Sequence, residues 1–195
     1  NSSLSAIIHL NDEMFISSGF NFGFTLMGID NQGLKWGSEW EKAIGHSSSV
    51  SSAEMDLINN KEVFDLSSGI SWSYRSASSD LGICLGTAMF HLNNADIGRM
   101  DKEIPQKVKK VFHGNLNLKL NDKLKLEPSA YYIMQGTHTE MIIGSLVCID
   151  LQDPNSMSQR SFDVKVGSFY RIGDAVIPNI AFSMGNYQLC LSYDV

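Results

Sequence analysis

A long amphipathic hairpin, Val111–Gln135, constrains the fold of this chain more than any other stretch. Apolar and polar residues alternate in two successive runs within it, as in β-strands that have one apolar and one polar face. An Asn-Asp pair between the runs predicts a turn. A three-residue loop at 121–123 would place Leu120 opposite Leu124 on the apolar face, whereas a two-residue loop would place Leu120 opposite Lys123. The pattern therefore predicts the longer loop.

The length of these two strands separates two classes of β protein. Each strand spans about a dozen residues, whereas strands of soluble proteins usually stop at about five or six. A strand that crosses an outer membrane needs about nine to eleven residues, apolar toward lipid and polar toward the interior. The hairpin fits a transmembrane β-barrel, but it also fits a soluble β-sandwich or a lipocalin-like barrel with long strands.

Composition narrows the class of protein further. The 195 residues are 43% hydrophobic with a mean hydropathy of -0.08, and no apolar run approaches the roughly 18 residues of a membrane-spanning helix. Membrane-spanning strands remain possible, because their inward polar residues dilute the average hydropathy. The net charge of -6 argues against a nucleic-acid partner.

Residues that could carry catalysis or bind a metal show no suitable spacing. The cysteines Cys84, Cys148 and Cys190 lie far apart, and the five histidines lack metal-ligand spacing. Charged residues on the polar faces of strands are better explained as pairs in a polar barrel interior than as a catalytic set. These residues are Asp65, Arg75, Glu127, Glu140, Asp163, Lys165 and Arg171. We therefore expect no enzyme activity, no metal and no cofactor.

Alternation elsewhere predicts about ten antiparallel strands in a single domain, residues 1–195. In an up-and-down sheet, every second connection lies on the same side. The two longest connections, 30–61 and 93–110, share one side, and most short turns share the other, with 152–159 as the exception. Long loops on one side and short turns on the other are typical of outer-membrane barrels. This asymmetry favours an all-β, transmembrane, antiparallel up-and-down barrel over the soluble alternatives.

Local signals predict further details of the connections. Two capping-box patterns, Ser38 with Glu41 and Ser51 with Glu54, predict two short helices within 30–61. Two-residue hairpin turns are predicted at Gly173–Asp174 and at Gly185–Asn186.

Two tryptophans in the first long connection, Trp36 and Trp40, have two possible roles. They would either anchor this connection over the mouth of a barrel or pack it onto the barrel as ordinary loop contacts. Loops of this length in compact domains are usually functional.

Segments along nearly the whole chain resemble, in the same order, strands of the PorP/SprF family of type IX secretion proteins. No single segment is very specific for this family, but the shared order and spacing of the segments are. The segments are GLKWGSEW at 33–40, FDLSSGISW at 64–72, LGTAMFHLNNA at 85–95, IPQKVKKVFHGNLNLKL at 104–120, LEPSAYYIMQG at 126–136, YRIGDAVIP at 170–178 and YQLCLSYDV at 187–195.

The resemblance implies a non-enzymatic outer-membrane barrel of gliding, adhesin-secreting bacteria. Such proteins work with other type IX components to secrete large adhesins or hold them at the surface. From the length and common side of the two long connections, we hypothesise that this chain grips the adhesin's C-terminal domain through these loops. The candidate partner-binding residues are Trp36, Trp40, Ile104 and Pro105. An outer-membrane diffusion pore for small solutes is the alternative. The resemblance also implies a signal peptide and further strands before Asn1 and a closing strand after Val195. We therefore expect either that the full protein is longer than this chain or that a partner chain covers the edges of the sheet.

Overall fold

The computed structural model describes residues 1–28, 37, 40–42, 45–46, 61–76, 78, 80–98, 103–151 and 162–195. Ten of its twelve strands form one antiparallel sheet, in which each strand pairs with its neighbours along the chain. The strands of this sheet are β1 (Ser2–His9), β2 (Met14–Met27), β5 (Lys61–Arg75), β6 (Leu81–Phe90), β7 (Lys109–Lys119), β8 (Leu124–Gln135), β9 (His138–Asp150), β10 (Phe162–Arg171), β11 (Ala175–Met184) and β12 (Tyr187–Ser192). In these ranges there is no helix with the length and apolar character to cross a membrane. The predicted all-β, antiparallel up-and-down architecture is confirmed.

The predicted hairpin between β7 and β8 forms with the expected register. Lys119 pairs with Lys125, and the amide of Leu120 donates to the carbonyl of Leu124 at 2.9 Å. The side-chain oxygen of Asn121 accepts from the amides of residues 123 and 124, at 2.9 Å each. The loop therefore has three residues, and Leu120 and Leu124 share the apolar face.

One of the two predicted hairpin turns has a different length. Met184 pairs with Tyr187, which confirms the two-residue turn at 185–186. Arg171, however, pairs with Ala175, so the predicted two-residue turn at Gly173–Asp174 is wrong and the loop is 172–174. The Arg171 guanidinium binds the Asp174 carboxylate at 2.7 Å, and Gly173 adopts a φ of 80°. Both features favour the wider loop.

The first of the two predicted short helices is wrong. Trp40–Glu41 (β3) pairs antiparallel with Gly45–His46 (β4), with Gly45 at a φ of 84°. A helix of one or two turns has few hydrogen bonds to offset the cost of nucleation, and glycine adopts a positive φ without strain. The second predicted helix, around Ser51 and Glu54, lies outside the described residues.

The two faces of the sheet differ sharply in polarity. Cross-strand pairing places apolar residues beside apolar residues on one face, as in Phe20 beside Leu4 and Trp72 beside Leu85. Many of these side chains are exposed, with Phe24 at 76% and Leu26 at 77%. Among the described residues, the buried apolar ones are only Val63, Cys148, Ala175 and Ala181. A soluble sandwich would bury such a face against a second sheet, so the exposed apolar face does not fit a sandwich.

The sheet curls so that its polar face is concave. Phe15 of β2 and Phe169 of β10 line one pocket of about 500 Å³, although five strands separate β2 from β10 in the sheet. In a flat sheet these two strands would lie about 29 Å apart, at roughly 4.8 Å per strand. The apolar residues therefore cover the convex outer surface.

The strands also step past one another in a constant sense. A row of paired residues that starts at Leu81, the first residue of β6, continues through Leu118, Leu126 and Val147 to Val166. Val166 is the fifth residue of β10. From β6 to β10 the row therefore moves away from the end of the sheet at which the loop between β7 and β8 lies. Such a stagger accompanies the strand tilt of barrels. The sheet is consistent with a barrel, and β1 and β12 are its two edges.

Candidate partner-binding site

The two long connections lie at the same end of the sheet. The connection from β2 to β5 carries β3 and β4, and the connection from β6 to β7 covers residues 91–108. Because all ten strands run antiparallel in chain order, both connections leave from one end, as the sequence predicts. The turn between β1 and β2 and the loop between β7 and β8 lie at the opposite end. We call the first end the long-loop end.

The candidate residues that the structure describes are exposed at the long-loop end. Trp40 is 59% exposed and lies on β3, whereas Ile104 is 45% exposed. Pro105 is also exposed and forms a bridge with Asp96. Trp36 lies outside the described residues. The structure thus brings Ile104 and Pro105 together with Asp96, and it places Trp40 on the other long connection.

The first residues of the second connection pair with the part of β5 that β6 does not reach. β5 pairs with β6 only from Ser68 to Arg75, so the preceding residues of β5 extend past the end of β6. There the amide of Leu92 donates to the carbonyl of Leu66 at 2.9 Å. The Asn93 side chain accepts from the amide of Leu66 at 3.2 Å and donates to the carbonyl of Phe64 at 2.7 Å. The amide and carbonyl of Leu66 and the carbonyl of Phe64, which have no partner on β6, thus form hydrogen bonds with the connection.

Beyond Asn93 the chain folds back on itself as a short antiparallel ribbon. The amide of Ile97 donates to the carbonyl of Ile104 at 3.1 Å, and the amide of Gln106 donates to the carbonyl of Ala95 at 2.9 Å. We call residues 95–97 and 104–106 the rim ribbon. It presents Ile104 and Pro105 at its surface.

The carboxylate of Asp96 holds the rim ribbon together and joins it to β5. One of its oxygens accepts from the amide of Gly98 at 2.9 Å and from the amide of Ile104 at 2.6 Å. The other forms an ion pair with the Lys61 ammonium, which also donates to the carbonyl of Gly98 at 2.9 Å. The hydrogen bond from Lys61, followed by those from the two amides, lowers the pKa of Asp96 from 3.8 to about 2. We call Asp96, Lys61 and their two amide partners the Asp96 clasp.

A second polar link connects the ribbon to the rim of the sheet. His91 Nδ1 lies 2.8 Å from a carboxylate oxygen of Asp65 on β5, and its Nε2 lies 3.0 Å from the side-chain nitrogen of Gln106. The Gln135 side chain at the end of β8 donates to the carbonyl of Lys107 at 3.1 Å. The second connection is therefore tied to strands on both of its sides.

Several charged side chains of the concave face form ion pairs with one another. The Lys165 ammonium donates to both carboxylate oxygens of Glu127, at 2.9 and 2.8 Å. The Arg171 guanidinium binds Asp174 and, at 3.2 Å, Asp194. In the part of the chain that the structure describes, no three His, Cys, Asp or Glu side chains are grouped to hold a metal. The arrangement provides a polar interior with internal charge compensation.

Sequence reasoning missed the residues that position the candidate contacts. The run His91-Leu92-Asn93-Asn94 follows a strand and is rich in turn-forming residues, which is a signal for a structured turn. The pairing of Lys61 with Asp96, however, joins residues 35 positions apart. No local pattern indicates such a contact.

Comparison with known proteins gives one match. A family model described as "Type IX secretion system membrane protein PorP/SprF" matches residues 1–195. No curated protein and no solved structure matches the chain. The match covers every strand of the sheet, including those whose apolar side chains are exposed on the convex face. The chain therefore belongs to the PorP/SprF family of type IX secretion system membrane proteins.

Proposed function

We propose that this chain forms a single outer-membrane β-barrel domain that helps to secrete or anchor large surface adhesins through their C-terminal domains. The barrel acts without catalysis, as a partner of other type IX components. Its long-loop end faces the cell exterior and binds the adhesin through Trp36, Trp40, Ile104 and Pro105. Its convex face contacts outer-membrane lipid.

The observation that carries this proposal is the asymmetry between the two ends of the sheet. Exposed apolar residues, Trp40 and Ile104, lie on long connections at one end, whereas compact turns such as 185–186 close strands at the other. In outer-membrane barrels the long loops are extracellular. Exposed loops held on a rigid scaffold are common sites of binding.

Loop replacement in the intact protein tests this proposal. One variant joins Met27 to Lys61, which pair in the sheet, through a short Gly-Ser turn. A second joins Phe90 to Lys109, which also pair. Both variants keep the strand register and remove a long connection. A matched control joins Arg75 to Gly82, a pair at the opposite end, through the same turn.

The readout is the adhesin that copurifies with the tagged protein from detergent-solubilised outer membranes, identified by mass spectrometry. We expect both long-loop variants to lose the adhesin and the control to keep it. All three should remain folded barrels, which migrate faster on a denaturing gel before heating than after it. Unchanged adhesin recovery in both long-loop variants would contradict the proposal.

A diffusion pore for small solutes is the second candidate, favoured by the polar concave face. Its pocket of about 500 Å³ is lined by charged and polar side chains that include Glu127, Lys165 and Asn115. Planar-bilayer conductance of the intact protein separates the two functions. Stable single-channel currents that change when these side chains are substituted would support the pore. Absence of such currents, in a preparation that binds the adhesin, would argue against it.

A further inference from the structure

Polar bonds hold the backbone that carries two exposed apolar residues, Ile104 and Pro105. The amide of Ile104 donates to the Asp96 carboxylate at 2.6 Å, and Pro105 pairs with Asp96 across the rim ribbon. The Ile104 side chain itself is 45% exposed. The backbone is therefore fixed while the apolar side chain stays available for contact.

Fixing this backbone in advance matters for binding. Ordering the residues of a flexible chain costs conformational entropy, and a binding surface that is already ordered avoids this cost at the moment of association. The Asp96 clasp orders residues 96, 98 and 104 through one carboxylate, and Lys61 attaches them to the end of β5.

We propose that Asp96 is a positioning residue for partner binding. It holds the rim ribbon so that Ile104 and Pro105 form a preformed apolar contact for a folded protein domain with an apolar patch. The inference rests on the proposed function, and it goes further by assigning the geometry of the contact to Asp96 and Lys61, which do not touch the partner themselves.

Position-resolved crosslinking in the intact protein tests this role. A photo-crosslinking amino acid replaces exposed Glu103, beside Ile104, or exposed Lys42, near Trp40 on the other long connection. Crosslinking to the copurifying partner is then compared among wild type, Asp96→Ala and Lys61→Met.

Lys119→Met is the matched control variant. Lys119 also binds two oxygen acceptors, Asp80 at 3.0 Å and Asp122 at 3.2 Å, but at the opposite end of the sheet. For every variant, the shift in gel migration on heating is measured, because it reports whether the barrel is folded. Lys61→Met serves as the second test of the clasp in case Asp96→Ala does not assemble.

We expect Asp96→Ala to lower crosslinking at 103 by roughly fivefold, as for the loss of a typical net hydrogen-bond contribution, and Lys61→Met to lower it in the same direction. Crosslinking at 42 and folded-barrel migration should not change, and Lys119→Met should change neither crosslink. Equal losses at 103 and 42 would mean general destabilisation and would overturn the positioning role. Unchanged crosslinking at 103 would also overturn it, while leaving the proposed function intact. If wild type itself crosslinks to no protein at either position, the proposed function fails as well.

Discussion

At the scale of single residues, the Asp96 carboxylate joins parts of the chain that are distant in sequence. It binds the Lys61 ammonium of β5 and the amides of Gly98 and Ile104. Glu127 and Lys165 play a comparable role on the concave face, where they join β8 to β10 across β9. In both places a charged group is held by oppositely charged or hydrogen-bonding partners, as expected where water is partly excluded.

The Asp96 clasp should depend on pH in a defined direction. The folded-state pKa of Asp96 is about 2, below the ordinary value of 3.8, because Lys61 and the two amides favour the ionised carboxylate. Its stabilising contribution is therefore complete above pH 3.8 and is lost as the pH falls toward about 2. Amide proton shifts of Gly98 and Ile104 in detergent-solubilised protein should titrate with a midpoint near this pKa. Asp96→Asn should abolish the titration, whereas a midpoint at or above 3.8 would contradict the clasp.

The Glu127–Lys165 ion pair should show strong coupling between its two residues. Both side chains are partly buried, with an N–O distance of 2.8 Å, so removal of one partner leaves an uncompensated charge. We expect Lys165→Met or Glu127→Gln alone to lower the free energy of unfolding by about 2 kcal/mol, and the double variant to lower it by less than the sum. Urea unfolding in lipid vesicles measures these values. Additive losses would show that the pair contributes no coupling.

At the scale of elements, close approach between strands limits which residues fit on the concave face. A methyl group at Gly167 of β10 would lie 2.9 Å from the Cα of Leu146, and closer still to the carbonyl oxygen of Ser145 on β9. Gly114 of β7 lies on the convex face, where it pairs with Leu85, and the atom nearest to an added methyl group would be the flexible end of the Leu85 side chain, at 3.2 Å.

Alanine substitutions at these two glycines should therefore differ in effect. Gly167→Ala forces two backbones apart and should destabilise the sheet by about 1–3 kcal/mol, with loss of folded-barrel migration on gels. Gly114→Ala is the control and should fold as wild type, because Leu85 can adjust its rotamer. Equal stability of the two variants would show that β9 and β10 approach less closely than described.

The strands were predictable from sequence, whereas their long-range contacts were not. Alternation of apolar and polar residues determines which face of a strand is apolar, and this sufficed for the register of Leu120 against Leu124. The helix predicted from Ser38 and Glu41 was wrong because capping signals describe only local preference, and β3 pairs with β4 instead.

The candidate site was predictable only in part, for a related physical reason. The long connections and the end of the sheet at which they lie follow from alternation and parity, whereas the exposure of Trp40 and Ile104 is seen only in the structure. The Asp96–Lys61 ion pair depends on how far β5 extends past β6, which is a property of tertiary pairing. No spacing between residues 61 and 96 encodes it.

At the scale of the whole molecule, one curled sheet separates an apolar convex surface from a polar concave one. The exposed apolar residues of the convex face extend from Leu4 to Val195, whereas the concave face is polar in most strands and carries a few apolar residues, such as Leu146 of β9. In water such a surface would drive association, whereas in a bilayer it is the expected outer surface of a barrel. The constant stagger of the strands gives the tilt that a barrel requires.

Spin-label accessibility along β7 (Lys109–Lys119) tests directly whether the convex face contacts lipid. In the intact protein, reconstituted in vesicles with its native cysteines replaced, single labels at positions 112, 116 and 118 should collide more with oxygen than with a water-soluble nickel reagent. Labels at 113, 115 and 117 should show the reverse, giving a period of two along the strand. Equal nickel access at all six positions, or an alternation in the opposite phase, would contradict a membrane barrel with its apolar face outward.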